Sequence, residues 1–103
     1  MVLYCFKWNV HPDKTEAYAA WAQSAIRRTL GAGGVTEFRA YRPASGAFQV
    51  IVTYEFADMA TWAAWHDAEE VQAVITEAHT LATDVTAEPG PSPIVPRPIR
   101  PGG

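Results

Sequence analysis

The chain has 103 residues, 49% of them apolar, and a formal net charge of −3. A chain of this length makes one domain whose core needs no disulfide or metal to hold it. No basic cluster is larger than Arg27-Arg28, which argues against nucleic acid and against membranes as partners.

Residues 2–10 alternate: Val2, Tyr4, Phe6, Trp8 and Val10 fall on one face, Leu3, Cys5, Lys7 and Asn9 on the other. That is the pattern of a half-buried strand. These first residues lack a charged region, an apolar run and a small-residue cleavage site, so no secretory leader is expected. Cys5 is the single cysteine; it has no internal disulfide partner and suits a reducing compartment, so the cytoplasm is expected. Nowhere does the chain approach the ~20 apolar residues of a membrane span.

Pro12 ends the strand, and Asp13 with Glu16 resembles a capping box. A helix over about 13–30 follows, with Tyr18, Trp21, Ala22, Ala25, Ile26, Thr29 and Leu30 on one stripe. The glycines of 31–34 stop it. Residues 35–42 and 47–56 read as a hairpin joined through Pro43-Ala44-Ser45-Gly46. In its second strand Phe48, Val50, Val52, Tyr54 and Phe56 share a face, while Gln49, Ile51, Thr53 and Glu55 share the other. Asp58 caps a second helix carrying Met59, Trp62, Trp65 and His66. Asp67 with Glu70 resembles another capping box, so the helix is expected to break near 67 and restart with Val71, Val74, Ile75, Ala78 and Ala82 inward. A short strand is expected over 83–88. From residue 89 onward, six Pro and three Gly in fifteen residues exclude helix and central strand. The division is thus a domain over 1–88 and a Pro-rich tail over 89–103, whose pre-extended backbone and apolar Ile94, Val95 and Ile99 suit docking on a partner subunit or a sheet edge.

The order β-α-β-β-α-β predicts an α+β fold, a four-stranded antiparallel sheet with helices on one face. The aromatic-rich even face belongs under the helices. The odd face mixes Leu3, Cys5, Ile51 and Tyr41 with Lys7, Glu37, Arg39 and Glu55. It is too apolar for a solvated sheet face and too charged for a dry core. A homodimer with sheets packed face to face reconciles the two. Lys7 with Glu55 on adjacent strands, and Glu37 with Arg39 across the dimer, are the expected pairs.

Several stretches resemble the dimeric α/β-barrel superfamily, and within it the antibiotic-biosynthesis-monooxygenase-like (ABM-like) domains. They are Val2–Val10 running into His11-Pro12-Asp13-Lys14; Gly33-Gly34-Val35; Val52-Thr53-Tyr54-Glu55-Phe56-Ala57-Asp58; and Trp62-Ala63-Ala64-Trp65-His66-Asp67-Ala68-Glu69-Glu70-Val71. The resemblance covers about residues 2–88. It implies a ferredoxin-like βαββαβ fold, sheets paired into a barrel, and a pocket between sheet and helices. Its members include cofactor-independent oxygenases of aromatic polyketides, haem-degrading proteins and domains without assigned chemistry. The haem-degrading pattern has an Asn on the first strand, a Trp ending the third and a later helical His. Asn9 is a candidate for the first, but Phe56 stands where the Trp belongs, and neither His66 nor His79 matches the last. Haem breakdown is therefore not expected.

Four tryptophans in so short a chain offer flat walls for a conjugated or aromatic ligand, or simply fill the core. His66, four residues after Trp62 on the same helix face, is the candidate catalytic base; the bland alternative is a helix-end imidazole bonded to a carbonyl or to solvent. Trp8, Tyr54, Trp62, Trp65 and His79 are the candidate ligand-binding residues, with Tyr4 and Tyr18 as further hydroxyl donors. For His79 a partly buried core position is the favoured bland reading, and His11 reads as a loop residue. No His, Cys or carboxylate set has metal-ligand spacing, so neither metal nor other cofactor is expected. Two functions follow: a cofactor-free oxygenase, isomerase or cyclase, or a non-catalytic ligand-binding or assembly domain. A cavity of ~300 Å³ lined by polar groups and His66 would mark a binding site, a filled interior a structural role.

Overall fold

The computed structural model describes residues 1–43 and 48–88. Its elements are β1 (Val2–Val10), a 3₁₀ turn (Pro12–Lys14), α1 (Thr15–Gly31), β2 (Val35–Tyr41), β3 (Val50–Phe56), α2 (Met59–His66), α3 (Glu69–Leu81) and β4 (Ala82–Glu88). The strands form one antiparallel sheet in the order β2-β3-β1-β4. The hairpin link 44–47 and the tail 89–103 lie outside the described residues.

Register explains how the even face becomes the core. β1 meets β3 through Val2↔Phe56, Tyr4↔Tyr54, Phe6↔Val52 and Trp8↔Val50. Because even residues face even residues across the ladder, their side chains collect on one side of the pleat. Val2, Tyr4, Phe6, Val52, Tyr54 and Phe56 are all buried there, beneath Trp65 of α2 and Val71 of α3. Leu3, Cys5, Lys7, Ile51, Thr53 and Glu55 on the odd face are only half covered.

Several local expectations need correction. The turn before α1 is capped by His11, whose Nδ1 accepts from the Asp13 backbone N–H at 3.2 Å, so Asp13 is not the cap and α1 starts two residues later than expected. Leu30 is exposed, whereas Thr29 beside it is buried. Asp58 does cap α2, accepting from the Thr61 backbone N–H at 2.8 Å. The break after it occurs, but Asp67 ends α2 and Ala68 opens α3 without a side-chain cap. Gln72 bridges the junction by donating to the His66 carbonyl at 2.6 Å. Phe48 precedes β3 and does not belong to it. Along β4 the register slips between Lys7↔Thr86 and Asn9↔Thr83, so two residues of β4, Asp84 and Val85, answer the single Trp8 of β1. Asp84 takes up the extra length with φ 55°, as at a bulge.

The expected ion pairs also differ. Lys7 lies opposite Ile51 and Glu55 opposite Leu3, four rungs apart, so they do not pair across β1 and β3. Arg39 Nε donates to Glu37 Oε1 at 3.0 Å within one chain, so that pair does not require a second subunit.

Phe56, with no exposed surface, tests the face assignment. Phe56→Ala is expected to cost about 3–5 kcal/mol of unfolding free energy in a urea titration; a loss below ~1 kcal/mol would contradict its burial.

Candidate functional site

Between sheet and helices lies a cavity of about 120 Å³. Its deep wall is Phe6, Val52 and Tyr54 of the sheet with Trp65 of α2 and Val71 of α3, all buried. Half-covered Trp8, Tyr18, Trp21, Ile26 and Phe38 form its rim. The space exists because α1 and α3 turn small residues, Ala22, Ala25 and Ala78, toward large sheet aromatics. A row of alanines on an otherwise well-formed apolar stripe was the sequence signal for a void, and the reading of walls alone missed it.

Few polar atoms reach this space. Thr29, 3% exposed, donates through Oγ1 to the Ile26 carbonyl at 3.0 Å. A hydroxyl has one proton, so at the 3.1 Å contact between Thr29 Oγ1 and the Tyr54 hydroxyl it is Tyr54 that donates. The Thr29 carbonyl accepts from Trp65 Nε1 at 2.8 Å. At the rim, Trp8 Nε1 donates to the Tyr18 hydroxyl at 3.1 Å. Burial raises the pKa of the Tyr18 phenol, partly offset by the Trp8 bond, and burial likewise raises that of Tyr54. Both therefore stay protonated near neutrality.

The candidate site residues divide. Trp8, Tyr54 and Trp65 line the cavity; Trp62, His66 and His79 do not. His66 stacks on Trp62, ring centroids 5.1 Å apart at 25°, and meets the edge of Tyr4 at 6.0 Å. Tyr4 itself packs on Trp65 at 5.6 Å and so stands between this stack and the sheet's centre. Burial, with a smaller contribution from Tyr54, pushes the Tyr4 phenol up to about 12. The Trp62 indole N–H is buried with no hydrogen-bond partner among the described residues. His79 is exposed, its Nδ1 2.8 Å from the Ile75 carbonyl one turn back, so the expectation of a partly buried His at the core fails. The buried position on that turn belongs to Ala78, one residue earlier. No group of three His, Cys, Asp or Glu that could hold a metal occurs among the described residues, and no described helix is long and apolar enough to cross a membrane. The cavity is smaller than the ~300 Å³ expected of a drug-sized site. It is nearer the ~150 Å³ apolar void that takes one benzene ring.

Residues 1–77 match the antibiotic biosynthesis monooxygenase family. The chain belongs to that family. Solved structures agree on the fold. A dimeric ferredoxin-like protein of unknown function from Thermobifida fusca superposes with a TM-score of 0.71 at 12% identity, over 84% of this chain and 86% of that one. An antibiotic biosynthesis monooxygenase gives 0.72 at 10% identity, over 89% and 98%. A dabb-family protein with a ferredoxin-like fold from Mesorhizobium loti gives 0.74 at 16% identity, over 84% and 91%. No functionally curated protein matches the chain.

In this ABM-family chain the cavity roof is locked from outside. Glu77 of α3 accepts from Trp21 Nε1 at 2.8 Å and from both Arg28 terminal nitrogens at 2.7 and 2.9 Å. Arg28 also pairs with Glu70. The clamp joins α1 to α3 and fixes the rim indole of Trp21. Bonds from Arg28, then from Trp21, lower the Glu77 carboxyl from 4.5 to about 2. A carboxyl depressed in the folded state stabilises above its unfolded pKa, and that contribution disappears as pH falls through the folded value. Wild-type protein is therefore expected to exceed Glu77→Gln in stability by a constant margin above pH ~5, a margin that shrinks as pH falls and vanishes only below the folded value of about 2. Urea unfolding across that range checks it; a margin independent of pH would contradict the clamp.

Proposed function

We propose that this chain binds one small, flat, mostly apolar ring in the helix–sheet cavity and presents it from a homodimer. The observation that carries the reading is a void of about 120 Å³ walled by Trp8, Trp65, Phe6 and Tyr54. Aromatic walls hold planar ligands by dispersion and offset stacking, and a preformed apolar site does not have to open before binding. Membership of the antibiotic biosynthesis monooxygenase family supports a conjugated or aromatic substrate as the ligand. The cavity supports the binding and orienting part of such a reaction. His66, off the cavity wall, acts on a ligand only outside that space, on the surface of α2.

Dimerisation is supported by the odd sheet face, where Leu3, Cys5 and Ile51 are half covered within one chain and Tyr41 is 48% exposed. Apolar groups of this number on one flat face suit the core of an interface, with Lys7, Glu37 and Arg39 at its rim. A ferredoxin-like relative described as dimeric supports the same reading.

Ethylbenzene titrated into ¹⁵N-labelled protein is expected to shift the indole signals of Trp8 and Trp65 saturably. Ala25→Leu, which fills the space, should abolish the shifts, with Ala22→Leu as a second filling variant if the first unfolds. His66→Ala should leave the affinity unchanged. Saturable binding that survives both filled variants would place the ligand elsewhere. In sedimentation at micromolar concentration the chain is expected at twice its 11.3 kDa mass, and Ile51→Glu at the single-chain mass. A wild-type species at the single-chain mass alone would end the dimer.

A further inference from the structure

We propose that Tyr18, held by Trp8, is the polar anchor of the cavity and donates a hydrogen bond to a carbonyl oxygen on the bound ring, so that the site selects aromatic ketones and related ring carbonyls over plain hydrocarbons. The inference rests on the cavity reading above and adds to it the functional group of the ligand.

An account of the donors at the cavity leads there. The Trp21 N–H goes to Glu77, the Trp65 N–H to the Thr29 carbonyl, and the Trp8 N–H to Tyr18. The Thr29 proton goes to the Ile26 carbonyl and the Tyr54 proton to Thr29. Every donor on the wall is thus committed except the Tyr18 hydroxyl, which accepts from Trp8 and has no acceptor of its own among the described residues. An unused lone pair on a neutral oxygen, as on Tyr54, is tolerated more readily than an unused buried proton. The cavity therefore asks its ligand for an acceptor rather than a donor.

The anchor is also pre-positioned. The Tyr18 ring lies between two indoles, 6.4 Å from Trp8 at 64° and 5.9 Å from Trp21 at 46°. Trp21 is in turn fixed by Glu77 at 2.8 Å. A hydroxyl whose oxygen already accepts one bond is polarised into a better donor, and little side-chain freedom remains to be lost when the ligand arrives. With the cavity empty, water at the rim can satisfy the hydroxyl. A hydrocarbon ring displaces that water and leaves the proton unmet, whereas a ring carbonyl replaces it. Discrimination of this kind comes from the penalty on the wrong ligand as much as from the bond to the right one.

Acetophenone and ethylbenzene differ in carbonyl against methylene and serve as probes, followed through the indole signal of Trp65, which lines the cavity and is kept in every variant. Wild-type protein is expected to prefer acetophenone by about tenfold, the size of one neutral hydrogen bond. In Tyr18→Phe that ratio should fall to near one, and Trp8→Phe, which frees the phenol from its holder, should give an intermediate ratio. Ethylbenzene binding without a preference for acetophenone, or a preference that persists in Tyr18→Phe, overturns the anchor and leaves the cavity reading intact. Failure of both probes to bind overturns the two together.

Discussion

Trp65 is gripped from four directions, and most of the architecture depends on that grip. Its ring lies 5.6 Å from Tyr4, 4.9 Å from Tyr54 and 5.0 Å from Phe56, and its N–H reaches the Thr29 carbonyl at 2.8 Å. One side chain thereby ties α2 to the two central strands and to α1. Each aromatic pair adds about 0.5–1.5 kcal/mol beyond simple burial. The larger consequence is geometric. With Trp65 filling one end of the helix–sheet layer, α1 and α3 meet over the other end, where their alanines cannot reach the sheet. The cavity is what remains, and its position follows from where the tryptophan had to go.

The sheet was legible because a strand offers one bit of information per residue. In β1 and β3 that bit repeats over Val2–Trp8 and Val50–Phe56 without contradiction, and the antiparallel register preserves it across the ladder. Helix starts were less legible because several residues in one turn have capping chemistry. Asp13 and His11 both qualify, and the choice falls to His11 because Pro12 opens a 3₁₀ turn before the α-helix begins. Asp67 was misread similarly: it satisfies the sequence signature of a cap but sits at the end of α2, and Ala68 opens α3. The Lys7–Glu55 pair shows the limit of face assignment. Sharing a face says nothing about rung, and these two are four rungs apart.

The site was partly legible for a related reason. At roughly 100° per residue, His66 stands about 40° to one side of Trp62 and Trp65 about 60° to the other. The helix face that the sequence assigns to both Trp62 and His66 brings their rings together, 5.1 Å apart. All three rings pack around Tyr4, yet only Trp65 also reaches the cavity wall. A shared helix face therefore did not decide which of them line that space. Tertiary partners such as Glu77 for Trp21, 56 positions apart, leave no local trace in the sequence.

The two kinds of polar group around the cavity serve opposite ends. Thr29 takes up the protons of Tyr54 and, through its carbonyl, Trp65, so the floor is closed to ligand hydrogen bonds without leaving a buried donor unmet. Unsatisfied donors there would each cost about 1–3 kcal/mol. At the rim the order is reversed. Trp8 and Trp21 spend their N–H groups outward or sideways, and the Tyr18 proton is left over where solvent can still reach it. A ligand entering from that side meets apolar surface everywhere except at this hydroxyl. Orientation then requires no second polar contact, because the flat walls already fix the plane of the ring and one anchored atom fixes its direction within that plane.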